Sequence, residues 1–345
     1  MKILLTGDYF YNYNHVANDY KEIINEIKEY DKVFINYEGS FFGSQQVKKS
    51  VTLSMTDSSL NLPDNVSLIL CNNHITDFGQ SGIKNTIDKI KLKKINFIGL
   101  NNSIYDTSYF NNYYINNKNI FVATLGWTNE ECISAKKKSP GVKPFNSKSI
   151  SELQDIISKS NDDFRILYIH GGYEWEKYPI PEHVGLARQA IDSGFDLVYF
   201  CHSHTIQEYE FYKDKLIHYG LGNFYFSSMR ENFPMLSDQG KCLILNLNSR
   251  DAEYYYRLVE YNRQTKESKI TKEKLLEKKP LIFSDLHVYS KNYKKLRLRK
   301  KNPRPILYYK KNLSNYIKFK SWKLIVDVLG FLNLRSFIKF LLGWN

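Results

Sequence analysis

The stretch Asp196-Leu197-Val198-Tyr199-Phe200-Cys201-His202-Ser203-His204 is a short apolar run that ends abruptly in two histidines. A run of this length reads as a buried strand. Imidazoles at i and i+2 just past its end occupy adjacent loop positions from which both reach one ligand. The pattern recurs upstream: residues 2–6 lead to Asp8, 32–37 to Glu38, 66–71 to Asn73 and His74, and 165–169 to His170. In open α/β sheets the carboxyl ends of the strands line the crevice where ligands bind. Five separate strands therefore deliver carboxylate, amide and imidazole groups to one edge.

Outward from these runs, residues 95–98, 120–125 and 216–219 also read as strands. Between them, residues 19–30, 82–90, 151–158 and 184–191 repeat apolar side chains at helical spacing. The alternation predicts an α/β chain of layered sheets flanked by helices. Residues 243–260 read as β-rich and are expected to complete a second sheet. From Thr265 the sequence turns Lys-rich and loses periodicity, and no acidic residue falls between Lys291 and Lys320. The boundary is placed there, giving a domain over 1–264 and a basic, partly amphipathic helical tail over 265–345.

Of the 345 residues, 42% are hydrophobic and 15% aromatic, enough to bury a sizeable core. Cys71, Cys132, Cys201 and Cys242 show no C-x-x-C spacing, which argues against a disulfide framework or a thiolate zinc site and suits a reducing cytoplasm. The N-terminal apolar run is too short for a signal peptide and is interrupted by Asp8. Export by that route is not expected. The net charge of +13 comes from a surplus near the C-terminus. Without a recognised reading module, it gives no ground for expecting nucleic acid as a partner.

Carboxylate, amide and imidazole donors without thiolate suit divalent Mn, Fe, Zn or Co. One carboxylate can bridge two such ions about 3.5 to 4 Å apart, and the pair then activates a hydroxide for attack on phosphorus. Taken singly, each residue has a plainer reading. Gly7-Asp8 fits a turn, Glu38 a solvated loop acid, and Asn72 or Asn73 a helix N-cap. His15, His183, His218 and His287 lack the strand-end context and read as surface or core histidines.

Taken in order, Gly7-Asp8, Asn36-Tyr37-Glu38-Gly39, Asn72-Asn73-His74-Ile75-Thr76-Asp77-Phe78-Gly79 with Gly82 and Thr86, His170-Gly171-Gly172-Tyr173-Glu174, His202-Ser203-His204 and Tyr219-Gly220-Leu221-Gly222-Asn223-Phe224 resemble the CapA-type capsule-biosynthesis proteins. These are named from poly-γ-glutamate capsules and look like a branch of the calcineurin-like metallophosphoesterases. The resemblance spans residues 1 to about 250. It implies two divalent metal ions, with Glu38 bridging, Asp8 and His204 on one ion, and Asn73, His170 and His202 on the other. It implies that His74 faces substrate as the catalytic group, with Asp77, Glu174 and Asn223 also at the substrate.

The sequence departs from the resemblance at four places. The superfamily's His two residues after the first Asp is Phe10, which leaves one ligand fewer. Cys201 replaces the usual Gly before the last His pair, Ser203 the Pro between those histidines, and Gly171 the Trp after the fourth-motif His.

In the tail, Lys294 to Lys301 form a basic run, and residues 322–344 are apolar but interrupted by Asp327, Arg335 and Lys339. A spanning helix needs about 20 mostly apolar residues, so an interfacial helix beside a polybasic segment is the better reading. Packing of the tail back on its own domain or on a partner is the alternative. The chain is thus expected to be a metal-dependent phosphoric ester hydrolase of cell-surface polymer synthesis. It would act on a phosphorylated polymer or its precursor, in the cytoplasm and peripheral to the inner, anionic face of the cell membrane. The rival expectation is a non-catalytic assembly or anchoring subunit of a capsule machine.

Overall fold

A computed structural model describes residues 1–13, 17–44, 49, 51–129, 132–227, 234–248, 252–278 and 283–299, with side chains characterised up to Tyr293. Among these residues two sheets face each other. The first has strand order β14-β13-β12-β1-β2-β3-β4, formed by Glu267–Ile270, Ala252–Asn262, Gln239–Leu247, Lys2–Phe10, Lys32–Tyr37, Val66–Ile69 and Asn96–Ile98. To it are added β11 (Asn223–Phe226), parallel to β1, and β15 (Lys274–Leu275), paired with β13. The second runs β5-β6-β7-β8-β10-β9, from Phe110–Ile115, Lys118–Gly126, Phe164–His170, Leu197–Cys201, Lys215–His218 and Tyr209–Tyr212.

The two-residue period of the strands explains the layering. On β1, Ile3 and Leu5 point between the sheets, while Leu4 points outward. On β7, Ile166 and Tyr168 point between the sheets, while Leu167 and Ile169 point outward. The outward face of the first sheet packs with α1 (Asn18–Glu26) through Tyr20, Ile23 and Ile24, and with α2 (Gly79–Leu92) through Ile83 and Ile90. The outward face of the second packs with α3 (Ser147–Ile157) through Ile150, Leu153 and Ile157, and with α4 (Pro181–Asp192) through Val184, Ala187 and Ile191. Each fully buried Leu, Ile or Val of these layers contributes about 2 kcal/mol of apolar transfer. The α/β expectation of layered sheets flanked by helices is met.

Two readings need correction. Residues 243–260 do not build a second sheet: β12 pairs antiparallel with β1 through Lys2↔Asn246 to Leu5↔Leu243 and extends the first. Nor does the compact unit stop at 264, since it runs from Met1 to Leu296. Within it β14 and β15 pair with β13, and Leu276, Phe283 and Tyr293 are buried. These strands look like tail because Lys269, Lys274 and Leu275 face outward and leave little apolar period to read. Helix α5 (Leu286–Arg299) follows. The basic run beyond Arg299 and residues 322–344 lie outside the described residues, and no helix among those described is long and apolar enough to cross a membrane.

Candidate metal centre

Asp8 sits at an irregularity in β1, where register shifts against both β2 and β11. Such a bulge re-aims a side chain relative to the regular pleat. Gly7 makes it possible: a Cβ there would lie 1.9 Å from the carbonyl oxygen of Gly222, which accepts the Asp8 N–H at 2.9 Å. Glu38 follows β2 directly, His170 ends β7, and His202 and His204 follow β8. His202 and His204 both take left-handed backbone, with φ of 98° and 53°. Non-glycine residues hold that conformation where the surrounding structure over-determines it, commonly at functional sites.

These side chains converge in two clusters, each with its ligand atoms within 4.8 Å of one another: Glu38 with His170 and His202, and Asp8 with Glu38 and His204. Glu38 is common to both. His170 Nε2 and His204 Nε2 lie 3.9 and 3.7 Å from Glu38 Oε1. Asn73 Oδ1 is 2.9 Å from His170 Nε2, at the first cluster.

Whether the pocket suits metal is answered by its orphaned atoms. Glu38 is fully buried, yet neither carboxylate oxygen meets a hydrogen-bond donor, and neither ring nitrogen of buried His202 has a partner among the described residues. Buried polar atoms left so are costly unless something coordinates them. A divalent cation satisfies both, so the donor set fits one.

The electrostatics agree. Burial, then the neighbouring Asp8 charge, push the Glu38 carboxyl well above the usual carboxylate range. Burial, then the neighbouring imidazoles, hold His170 and His202 well below the usual imidazole value, which keeps them neutral and ready to ligate. Burial also acts to lower His204, but the charges of Glu38 and Asp8 outweigh it and raise the group to about 10. A metal that takes His204 as a ligand must therefore displace a proton from it.

A surrounding layer fixes these rings. Tyr168 Oη lies 2.9 Å from His170 Nδ1. Asn223 Oδ1 lies 2.9 Å, and Asp8 Oδ2 3.2 Å, from His204 Nδ1, leaving Nε2 toward Glu38. Asp8 Oδ1 accepts from Asn36 Nδ2 at 2.7 Å and from the His202 N–H at 3.0 Å. His74 Nδ1 lies 2.7 Å from Asp77 Oδ2, which also accepts the Leu53 N–H at 2.8 Å. Lys49 Nζ reaches Asp77 Oδ1 at 2.9 Å and also the Asn73 carbonyl.

Two of the residues expected at substrate are engaged with neighbouring imidazoles. Asp77 and Asn223 are fully buried, with their oxygens committed to orienting His74 and His204. Glu174 is partly exposed, and its charge reaches Glu38 and His204. The Asn-Asn pair is not a helix cap either: Asn72 Oδ1 accepts the His74 N–H, and α2 begins only at Gly79. Sequence reading missed Lys49, Tyr168 and Trp175. Of these, only Tyr168, two residues before His170 on the same strand face, carried a periodic signal.

Residues 2–228 match the family described as bacterial capsule synthesis protein PGA_cap. The chain belongs to that family. The capsule biosynthesis protein CapA of Bacillus anthracis is 31% identical over 229 residues, covering 62% of this chain and 55% of the relative. The PGA biosynthesis protein CapA of Bacillus subtilis (strain 168) is 29% identical over 191 residues, covering 53% and 49%. The chain thus spans about half the length of the curated relatives it matches. The two-sheet architecture sets its ligand-type residues at the carboxyl ends of strands. Among solved structures, a putative 5'-nucleotidase from Staphylococcus aureus superposes on 86% of this chain and 58% of its own, with 12% identity and a TM-score of 0.43.

The family member's departures have local causes. Phe10 packs on Phe226 at a tilt, with ring centroids 5.1 Å apart, and Phe226 meets the edge of His204 at 5.1 Å, so an apolar wall stands beside that imidazole. At Gly171 a Cβ would lie 2.7 Å from the Cβ of Trp127, whose indole packs against His183 and Tyr173.

Proposed function

We propose that this capsule-synthesis family member is a metal-dependent phosphoesterase acting on a phosphorylated intermediate or phosphodiester of a cell-surface polymer. The observation that carries this reading is the sharing of Glu38, buried and without a hydrogen-bond donor among the described residues, between two ligand clusters. Two divalent ions held there would supply a hydroxide nucleophile and neutralise charge on a phosphoryl group.

The chain's own residues have distinct tasks. Asn73, His170 and His202 would hold one ion, Asp8 and His204 the other, and Glu38 both. Tyr168 and Asn223 fix the ligand rings, as partners of ligating imidazoles commonly do. His74, oriented through Nδ1 by Asp77, would protonate the leaving oxygen or steady a phosphoryl oxygen.

Purified, chelator-free protein is expected to bind close to two equivalents of Mn, Fe, Zn or Co and to turn over aryl phosphate mono- or diesters. Metal analysis paired with an aryl-ester screen tests this, and full metal content without turnover on any ester would sink the enzymatic reading. That outcome would favour a non-catalytic assembly subunit, for which the Phe10–Phe226 wall in place of a further imidazole is the favouring observation.

We also propose that the basic C-terminal segment holds the protein on the inner, anionic face of the cell membrane. Each Lys or Arg near such a surface contributes about 1 kcal/mol. Deleting residues 322–345 should release the protein from anionic liposomes, with any remaining association lost at high salt. Cosedimentation at low and high salt measures this, and full pelleting of the truncated chain at high salt would place the anchor elsewhere.

A further inference from the structure

The loop after β7 carries Trp175 in left-handed backbone, with φ of 62°. A bulky residue rarely stays there unless its surroundings demand it. Its N–H donates to the carbonyl of Ser203 at 2.9 Å, between His202 and His204 in sequence. The indole lies against the His204 ring with centroids 5.0 Å apart and 26° between planes. Phe226 closes the same imidazole from its edge at 76°, and Phe10 backs Phe226. The ring is thus held by an aromatic face, an aromatic edge and the acceptors Asn223 and Asp8 at Nδ1.

The two clusters differ in this respect. His170 is held by a hydroxyl and an amide, from Tyr168 and Asn73, while His204 adds to its hydrogen-bond partners at Nδ1 a stacked aromatic face from Trp175. The Asp8 cluster also has one imidazole where the other has two. With fewer ligands, the orientation of the remaining imidazole weighs more in the affinity.

We propose that Trp175 is a positioning residue for the Asp8, Glu38 and His204 cluster, so that metal binding there requires an aromatic ring at position 175 while binding at Glu38, His170 and His202 does not. The inference rests on the reading of these clusters as a metal centre. It assigns Trp175 no contact with substrate.

The test is titration of metal-free, full-length protein with Co2+, followed by equilibrium dialysis and by indole emission. Wild type should bind two equivalents. Trp175→Ala should keep one class unchanged and weaken the other by about tenfold or more, and Trp175→Phe should stay within about threefold of wild type. Trp175→Phe should also lose part of the Co2+-dependent quenching despite retaining binding, since three other tryptophans remain in the chain. The unfolding midpoint of metal-free Trp175→Ala separates positioning from bulk stability: equal weakening of both classes, together with a lowered midpoint, would make the role structural and overturn the proposal. Unchanged binding of both equivalents in Trp175→Ala would overturn it and leave the centre standing. Wild-type protein that binds no Co2+ would remove the centre itself, and this proposal with it.

Discussion

Glu38→Gln is expected to lose most of its metal and to hydrolyse aryl phosphate esters about a thousandfold more slowly or worse, while staying folded. The bridging oxygens serve both clusters, and a neutral amide offers one oxygen of far weaker affinity in place of two charged ones. Loss of metal removes several kcal/mol of charge stabilisation from the transition state, and about 4 kcal/mol corresponds to a thousandfold in rate. The fold should not suffer. In the metal-free protein Glu38 is a desolvated carboxyl with no donor among the described residues, beside the charge of Asp8. An amide of the same shape relieves that repulsion, so the metal-free unfolding midpoint should hold or rise. Metal analysis, ester turnover and circular dichroism together check the prediction. Undiminished metal in the folded variant would refute the bridging place of Glu38.

Most of the two ligand clusters is legible in the sequence, because strands that carry ligands announce themselves twice. A short apolar run is visible on its own, and a polar residue that ends it is out of keeping with burial unless it has a task. Asp8, Glu38, His170 and His202 all stand at such ends, and all are buried. Beside the family resemblance, that pattern brings His204 and Asn73 into the same place. The layering is legible for the same reason, since the parallel strands β1 and β2, and likewise β3 and β4, are linked by segments of readable helical period.

What is not legible depends on long-range pairing or on irregular backbone. Strand β5 reads Phe110-Asn-Asn-Tyr-Tyr-Ile115 at a sheet edge, where only Tyr113 is buried, so it shows no apolar alternation. Pairing of β12 with β1 joins residues more than 230 positions apart, and nothing local marks it. Asp77 and Asn223 are expected at substrate only because the resemblance implies it. Sequence adjacency does not say whether a polar side chain turns toward solvent or toward a neighbouring imidazole. Lys49 and Trp175 lie in loops without periodicity, and their importance comes from what they touch.

His74→Ala is expected to keep its metal and lose about 10²- to 10⁴-fold in turnover, whereas His170→Ala and His202→Ala should lose both. The distinction follows from placement. His170 and His202 each bring a ring nitrogen into the cluster with Glu38, and His202 has no other partner for either nitrogen among the described residues. His74 belongs to neither cluster. Its Nδ1 is taken by Asp77, its backbone N–H by Asn72, and the residue keeps 5% exposure, which leaves Nε2 as the atom available to a bound ester. Truncation therefore removes a proton donor or hydrogen-bond donor without opening the metal shell. The leaving group separates the two roles: an ester with a low-pKa phenol needs little protonation, so if His74 is the general acid the variant's deficit should shrink on such substrates. A deficit independent of the leaving group would assign His74 to the phosphoryl oxygen instead. Metal content measured on the same preparations decides the larger question, because loss of metal in His74→Ala equal to that in His170→Ala would make His74 a ligand and undo the division of labour proposed for the site.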